Sequence, residues 1–128
     1  MTTAINSGVK ISVSTQFRPD LSQVYQSVYF FTYKIEIENT NPFPIQLLSR
    51  FWRIFDSLEK VRNIEGDGVV GEQPVLNPGD SYSYSSGCDL SSEIGNMSGH
   101  YIFKRLDNAQ IITVEIPQFD LVYLGRNN

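Results

Sequence analysis

The chain has 128 residues, 41% of them hydrophobic and 19% charged, with a net charge of −4 at neutral pH. That is the length of one domain, residues 1–128, with enough apolar side chains for its own core, which excludes a disordered chain. Lys and Arg are dispersed, which excludes nucleic acid as a partner, and no apolar run approaches the roughly 20 residues of a membrane helix.

The opening stretch "MTTAINSGVKISVS" lacks a charged segment followed by an apolar block, so it does not read as a signal peptide. With a single cysteine, Cys88, no intrachain disulfide can form. Both features point to a reducing, cytoplasmic setting.

Strand signals begin at "GVKISVSTQF", where Val9, Ile11, Val13 and Phe17 alternate with Lys10, Ser12 and Ser14. "RPDLSQVYQS" reads as a polar connection. In "YFFTYKIEIEN", Phe31, Tyr33, Ile35 and Ile37 alternate with Thr32, Lys34, Glu36 and Glu38. Side chains on a strand point to opposite faces in turn, so this is a long strand with one wet and one buried face. "NTNPFP", residues 39–44, then breaks it.

"IQLLSRFWRIFD" is apolar on both faces, and its β-branched and aromatic content favours a strand over a helix. Simple alternation puts Leu48, Trp52 and Ile54 on one side with Arg50, and Leu47, Phe51 and Phe55 on the other with Arg53. Trp52 is the expected core anchor. Phe51 and Phe55 are the candidate interaction surface.

A Pro-Gly turn at residues 77–80 leads into "SYSYSS", where Tyr82 and Tyr84 alternate with serines. "HYIFKRL" and "QIITVEIP" read as a hairpin around Asp107 and Asn108, both of which tolerate positive φ. The last segment, "FDLVYL", follows Pro117, which predicts a kink or an edge strand. The tail, residues 125–128, is expected to fray. Seven to eight strands and no helix make an all-β fold, an antiparallel β-sandwich or barrel.

"EGDGVVGEQP" carries Gly66, Gly68 and Gly71 in the spelling GxGxxG, which opens the phosphate loop of many dinucleotide-binding enzymes. Such a loop needs a following helix to supply free N–H groups. Here Gly71 is followed by Glu72, Gln73 and Pro74, so no helix can start. Glu65, Asp67 and Glu72 flank the loop, and no cation lies between Glu65 and Pro78. The glycines therefore read first as turn and bulge residues. Phosphate contact through backbone amides is the alternative.

No catalytic set is legible. His100 is the one histidine, and pairing it with Cys88 as base and nucleophile would depend on the fold bringing them together. No ligand pair has metal-site spacing, so no metal and no cofactor are expected. Tyr25, Tyr29, Phe30, Tyr82 and Tyr84 read mainly as sheet packing, with a sugar- or peptide-binding face as the other reading.

The blocks "YFFTYKIEIEN", "QLLSRFWRIFD", "GDGVVGEQPVLNPGDSYSYSSG", "GNMSGHYIF" and "VEIPQFDL" resemble, in order, the signature blocks of the ApaG family, over residues 29–121. The resemblance implies a fibronectin type III-like or immunoglobulin-like sandwich. It implies a pyrophosphate comparison for Gly66, Gly68 and Gly71, and no catalytic residue. It also implies links to diadenosine tetraphosphate hydrolysis by gene neighbourhood and to cobalt and magnesium handling by phenotype. In eukaryotes similar domains are joined to F-box proteins and to a polymerase-interacting protein. The sequence departs from the family pattern at Leu58-Glu59, at Asn108-Ala109 where a hairpin glycine is common, and at Ile112 where Phe is usual. The expected function is a non-enzymatic binding module with a protein partner, acting indirectly in divalent-cation homeostasis. The alternative is a nucleotide, pyrophosphate or dinucleoside polyphosphate binder. The oligomeric state is left open, with a dimer among the options.

Overall fold

Alternation is realised as nine antiparallel strands in a computed structural model, which describes residues 1–57 and 60–124. They are β1 (Thr2–Asn6), β2 (Val9–Phe17), β3 (Tyr29–Asn39), β4 (Ile45–Asp56), β5 (Lys60–Asp67), β6 (Val75–Leu76), β7 (Ser81–Leu90), β8 (Ile94–Arg105) and β9 (Ile111–Val122). One sheet has the order β1-β2-β3-β7; the other has β5-β4-β8-β9, with β6 also paired to β4. The two sheets form a sandwich. Among the described residues the only helical pieces are single 3-10 turns at Pro19–Leu21 and Val24–Gln26, and no helix is long and apolar enough to cross a membrane.

The core lies between the sheets. Val9, Ile11, Phe31, Ile35 and Ile37 of the first sheet are buried against Ile45, Leu47, Tyr101, Phe103, Val114 and Leu121 of the second. Trp52, 3% exposed, meets Tyr33 across the sandwich and Phe119 and Tyr101 on its own sheet, with ring centroids 5.6, 5.8 and 6.4 Å away. Polar groups inside are partnered. Asn39, fully buried, donates to the carbonyls of Phe43 (2.9 Å) and Leu76 (3.0 Å) and accepts from the Asn41 amide (3.0 Å). The Tyr84 and Tyr101 hydroxyls bond each other.

Several expectations need correction. There are nine strands among the described residues, not seven to eight. β5 has no buried phase, since all but Gly66 of its residues are exposed, and β6 is two residues long, so neither carries a readable period. Pro117 does lie in an edge strand, as expected, but the segments on either side of it form one strand, β9, whose register slips opposite Met97 and Gly99. At the β8–β9 hairpin the positive φ falls on Ala109 (62°), not on Asp107 or Asn108. There the Ala109 amide bonds the Arg105 carbonyl and Asn108 accepts from the Gln110 amide, which leaves Ala109 to reverse the chain.

β4 also departs from simple alternation. A bulge between Leu47 and Ser49 turns Leu47 to the core with Ile45, Trp52 and Ile54, and leaves Leu48 half-buried. One extra residue flips the phase of everything after it. The turn expected at Leu58-Glu59 and the fraying expected at residues 125–128 fall outside the described residues.

Candidate functional site

The bulge in β4 organises the glycine segment. The freed Leu48 carbonyl accepts from the Gly68 amide and from Gln73 Nε2, both at 2.8 Å. Arg50, two residues on, faces the core side and donates through Nη1 to the carbonyls of Asp67 (3.0 Å) and Gly68 (2.9 Å). Gln46 Nε2 reaches the Gln73 carbonyl at 3.1 Å, and the Leu47 amide bonds the Pro74 carbonyl at 3.0 Å. The segment is thus laced flat along β4.

Each glycine has its own reason. Gly66 sits in β5 opposite Arg50, and a Cβ there would lie 2.9 Å from Nη1 and 3.0 Å from Cζ, so its missing side chain makes room for the guanidinium. Gly68 has φ +60°, and a Cβ would lie 2.0 Å from the Glu72 carbonyl oxygen. Gly71, at φ +80°, closes a two-residue turn with Val70 at φ 47°. Positive φ at both central positions is what a type I′ hairpin turn requires. The turn is clamped by reciprocal bonds between Val69 and Glu72, N to O 2.8 and 2.9 Å, and by burial of Val69.

The amides of Gly68 and Val69 are therefore bonded within the fold, and the Arg50 guanidinium is turned towards carbonyls. Glu72 accepts from the Tyr82 hydroxyl at 2.8 Å.

The other candidate surface is the outer face of the second sheet. Phe51 and Phe55 both point outward and are half-buried. Strand pairing sets Glu65, Phe51, His100 and Glu115 in one row across β5, β4, β8 and β9. The Phe51 and His100 rings stack, with centroids 5.2 Å apart and planes 21° from parallel. The next row holds Asp67, Ser49, Ile102 and Thr113. Between these rows lies a groove of about 530 Å³, lined by Ser49, Phe51, Glu65, Asp67, His100 and Ile102, with Arg50 and Gly66 in the strands beneath. Phe55 lies further along, beside Val61 and Asn96.

His100 and Cys88 are not brought together. His100 faces outward on β8, whereas Cys88 faces the interior from β7. Burial pushes the Cys88 thiol up to about 11, against the opposing pull of Arg62, whose Nη2 lies 3.7 Å from the sulfur. A thiol held protonated at neutral pH is a poor nucleophile. Of the remaining aromatic residues singled out, Tyr29 is buried, Phe30, Tyr82 and Tyr84 are half-buried, and Tyr25 is fully exposed.

His100 and Glu65 stand out in the sequence for other reasons, but neither their grouping with Phe51 nor Glu115 is legible there. Period two shows which residues of a strand share a face. Which residue of the next strand lies opposite is set by strand register, with the bulge at Leu48 entering the β4–β8 pairing and a second slip opposite Met97 and Gly99 entering the β8–β9 pairing.

Residues 19–105, covering most of this scaffold and both candidate surfaces except Glu115, match the ApaG domain family. The chain belongs to that family. Protein ApaG of Brucella canis is 42% identical over 121 residues, covering 94% of this chain and 92% of the relative. Protein ApaG of Mesorhizobium japonicum is 40% identical over 118 residues, covering 92% and 90%. A Bordetella pertussis protein solved under the name ApaA superposes with a TM-score of 0.88 at 39% identity, covering 93% of this chain and 95% of that one. The ApaG-domain match spans β3 to β8, and the full-length relatives align over most of the remaining chain as well.

Proposed function

We propose that this ApaG-domain chain is a non-enzymatic docking module for a protein partner, and that it docks through the outer face of the sheet β5-β4-β8-β9. The observation that carries this reading is the placement of Phe51. It is a large aromatic residue on a solvent-facing sheet surface, stacked on His100 in an open groove, with Phe55 further along the same strand. Aromatic residues in a concave, partly desolvated patch are the usual anchors of protein interfaces. A role in cobalt or magnesium handling would pass through that partner.

The test is site-specific photo-cross-linking in the cytoplasm. A photoreactive residue at Arg53, beside Phe51, should yield a defined adduct that the same group at Lys34, on the opposite sheet, does not. Equal labelling from both positions would refute the assignment of the face.

A nucleotide or pyrophosphate site at Gly66, Gly68 and Gly71 is the second reading. It has less support, because two of the amides it would use already serve the fold. Calorimetry with pyrophosphate, ATP and diadenosine tetraphosphate tests it directly, and heat above the buffer blank that Gly71→Ala removes would favour it.

A further inference from the structure

The groove carries information about its occupant as well as its existence. The row through Phe51 reads acid, aromatic, aromatic, acid: Glu65, Phe51, His100, Glu115. Asp67 adds a third carboxylate in the adjoining row, whose other members, Ser49, Ile102 and Thr113, are uncharged. Arg50 is the one cation among the groove-lining residues, and its guanidinium is committed to the Asp67 and Gly68 carbonyls on the far side of the strand. The nearest outward cations, Arg53 on β4 and Lys104 on β8, stand one row beyond the two groove rows, at opposite ends.

Resting on the docking reading above, we infer that the groove takes a single arginine or lysine side chain from an extended segment of the partner, set against an outer face of the Phe51–His100 stack among the Glu65, Asp67 and Glu115 carboxylates. Three features of the site converge on that chemistry. The stack turns one face of each ring onto the other, and the outer faces, along the row towards the acids, are the ones that attract a cation. The carboxylates on either side supply charge complementarity, which also speeds encounter. The bracketing Arg53 and Lys104 disfavour a polybasic tract, so the occupant carries an isolated cation among neutral residues.

The probe is a capped Thr-Thr-Arg-Thr-Thr peptide, with its Glu twin as control, added to the full chain at millimolar concentration and followed by amide chemical shifts. The Arg peptide should give saturable shifts at Phe51, Glu65, His100 and Glu115, and the Glu twin should leave them in place. Phe51→Leu keeps apolar bulk but removes the ring, and should weaken binding about threefold to fivefold. The double variant Glu65→Gln, Glu115→Gln should weaken it about tenfold and flatten its salt dependence.

Shifts scattered over the whole acidic surface, equal response to the Glu twin, no saturable response, or unchanged binding in the double variant would each overturn the inference. The docking reading fails separately. If cross-linking from position 53 still captures a specific partner while the Arg peptide leaves the row untouched, docking stands and the cation assignment falls.

Discussion

Replacing Gly66 by alanine places a methyl carbon 2.9 Å from Arg50 Nη1 and 3.0 Å from Cζ and Nη2. The guanidinium is the far end of a flexible side chain, so it can swing away. In doing so it gives up its two bonds to the Asp67 and Gly68 carbonyls. Bonds from a charged donor to a half-buried carbonyl pair amount together to about 2–3 kcal/mol. Against that, alanine in a strand at ordinary φ regains about 0.5–1 kcal/mol of backbone entropy. Gly66→Ala should therefore destabilise by about 1–2 kcal/mol. In an Arg50→Ala background the obstacle is gone, and the same substitution should stabilise by about 0.5–1 kcal/mol. The coupling of about 2 kcal/mol is measurable by urea denaturation in a double-mutant cycle. An additive cycle would mean that Gly66 is glycine for some reason other than Arg50, and the structural account of the motif would lose its first member.

Gly68→Ala should be the most damaging change in the motif, at about 3 kcal/mol or more, because positive φ and collision with the Glu72 carbonyl add. A thermal midpoint close to the parent's would contradict it. Val70 is β-branched, 62% exposed and held at φ 47°, so Val70→Asn should stabilise by about 1 kcal/mol, read from the urea midpoint. Asn39→Leu keeps the side-chain size but removes the partner of the buried Leu76 carbonyl and of the half-buried Phe43 carbonyl and Asn41 amide, and should cost about 2–4 kcal/mol by the same assay.

Burial holds the Cys88 thiol up at about 11 and raises the Tyr33, Tyr84 and Tyr101 phenols. The folded chain then binds these protons more tightly than the unfolded chain, whose thiol loses its proton near pH 8.5. Stability should be full below about pH 8.5 and fall as pH rises towards 11. A denaturant midpoint that is flat across that window would refute this, as would fast labelling of Cys88 by a thiol reagent in the native protein near neutral pH.

The sequence alone was enough to specify the all-β class and the residues of β2 and β3, because a half-buried strand must alternate and these do, whereas β4 was legible as a strand only from its β-branched and aromatic content. It also ruled out a helix after Gly71, since Glu72, Gln73 and Pro74 cannot begin one there. Tertiary structure decided the rest. Only the bulge at Leu48, a matter of how β4 meets its neighbours, sends Leu47 inward and frees the carbonyl that holds Gly68. Register alone sets His100 beside Phe51 and Glu65 and Glu115 at either end, although these residues lie far apart along the chain. Periodicity is a property of one strand and can be read from one segment. Pairing depends on at least two strands and on the single extra residue that shifts one against the other.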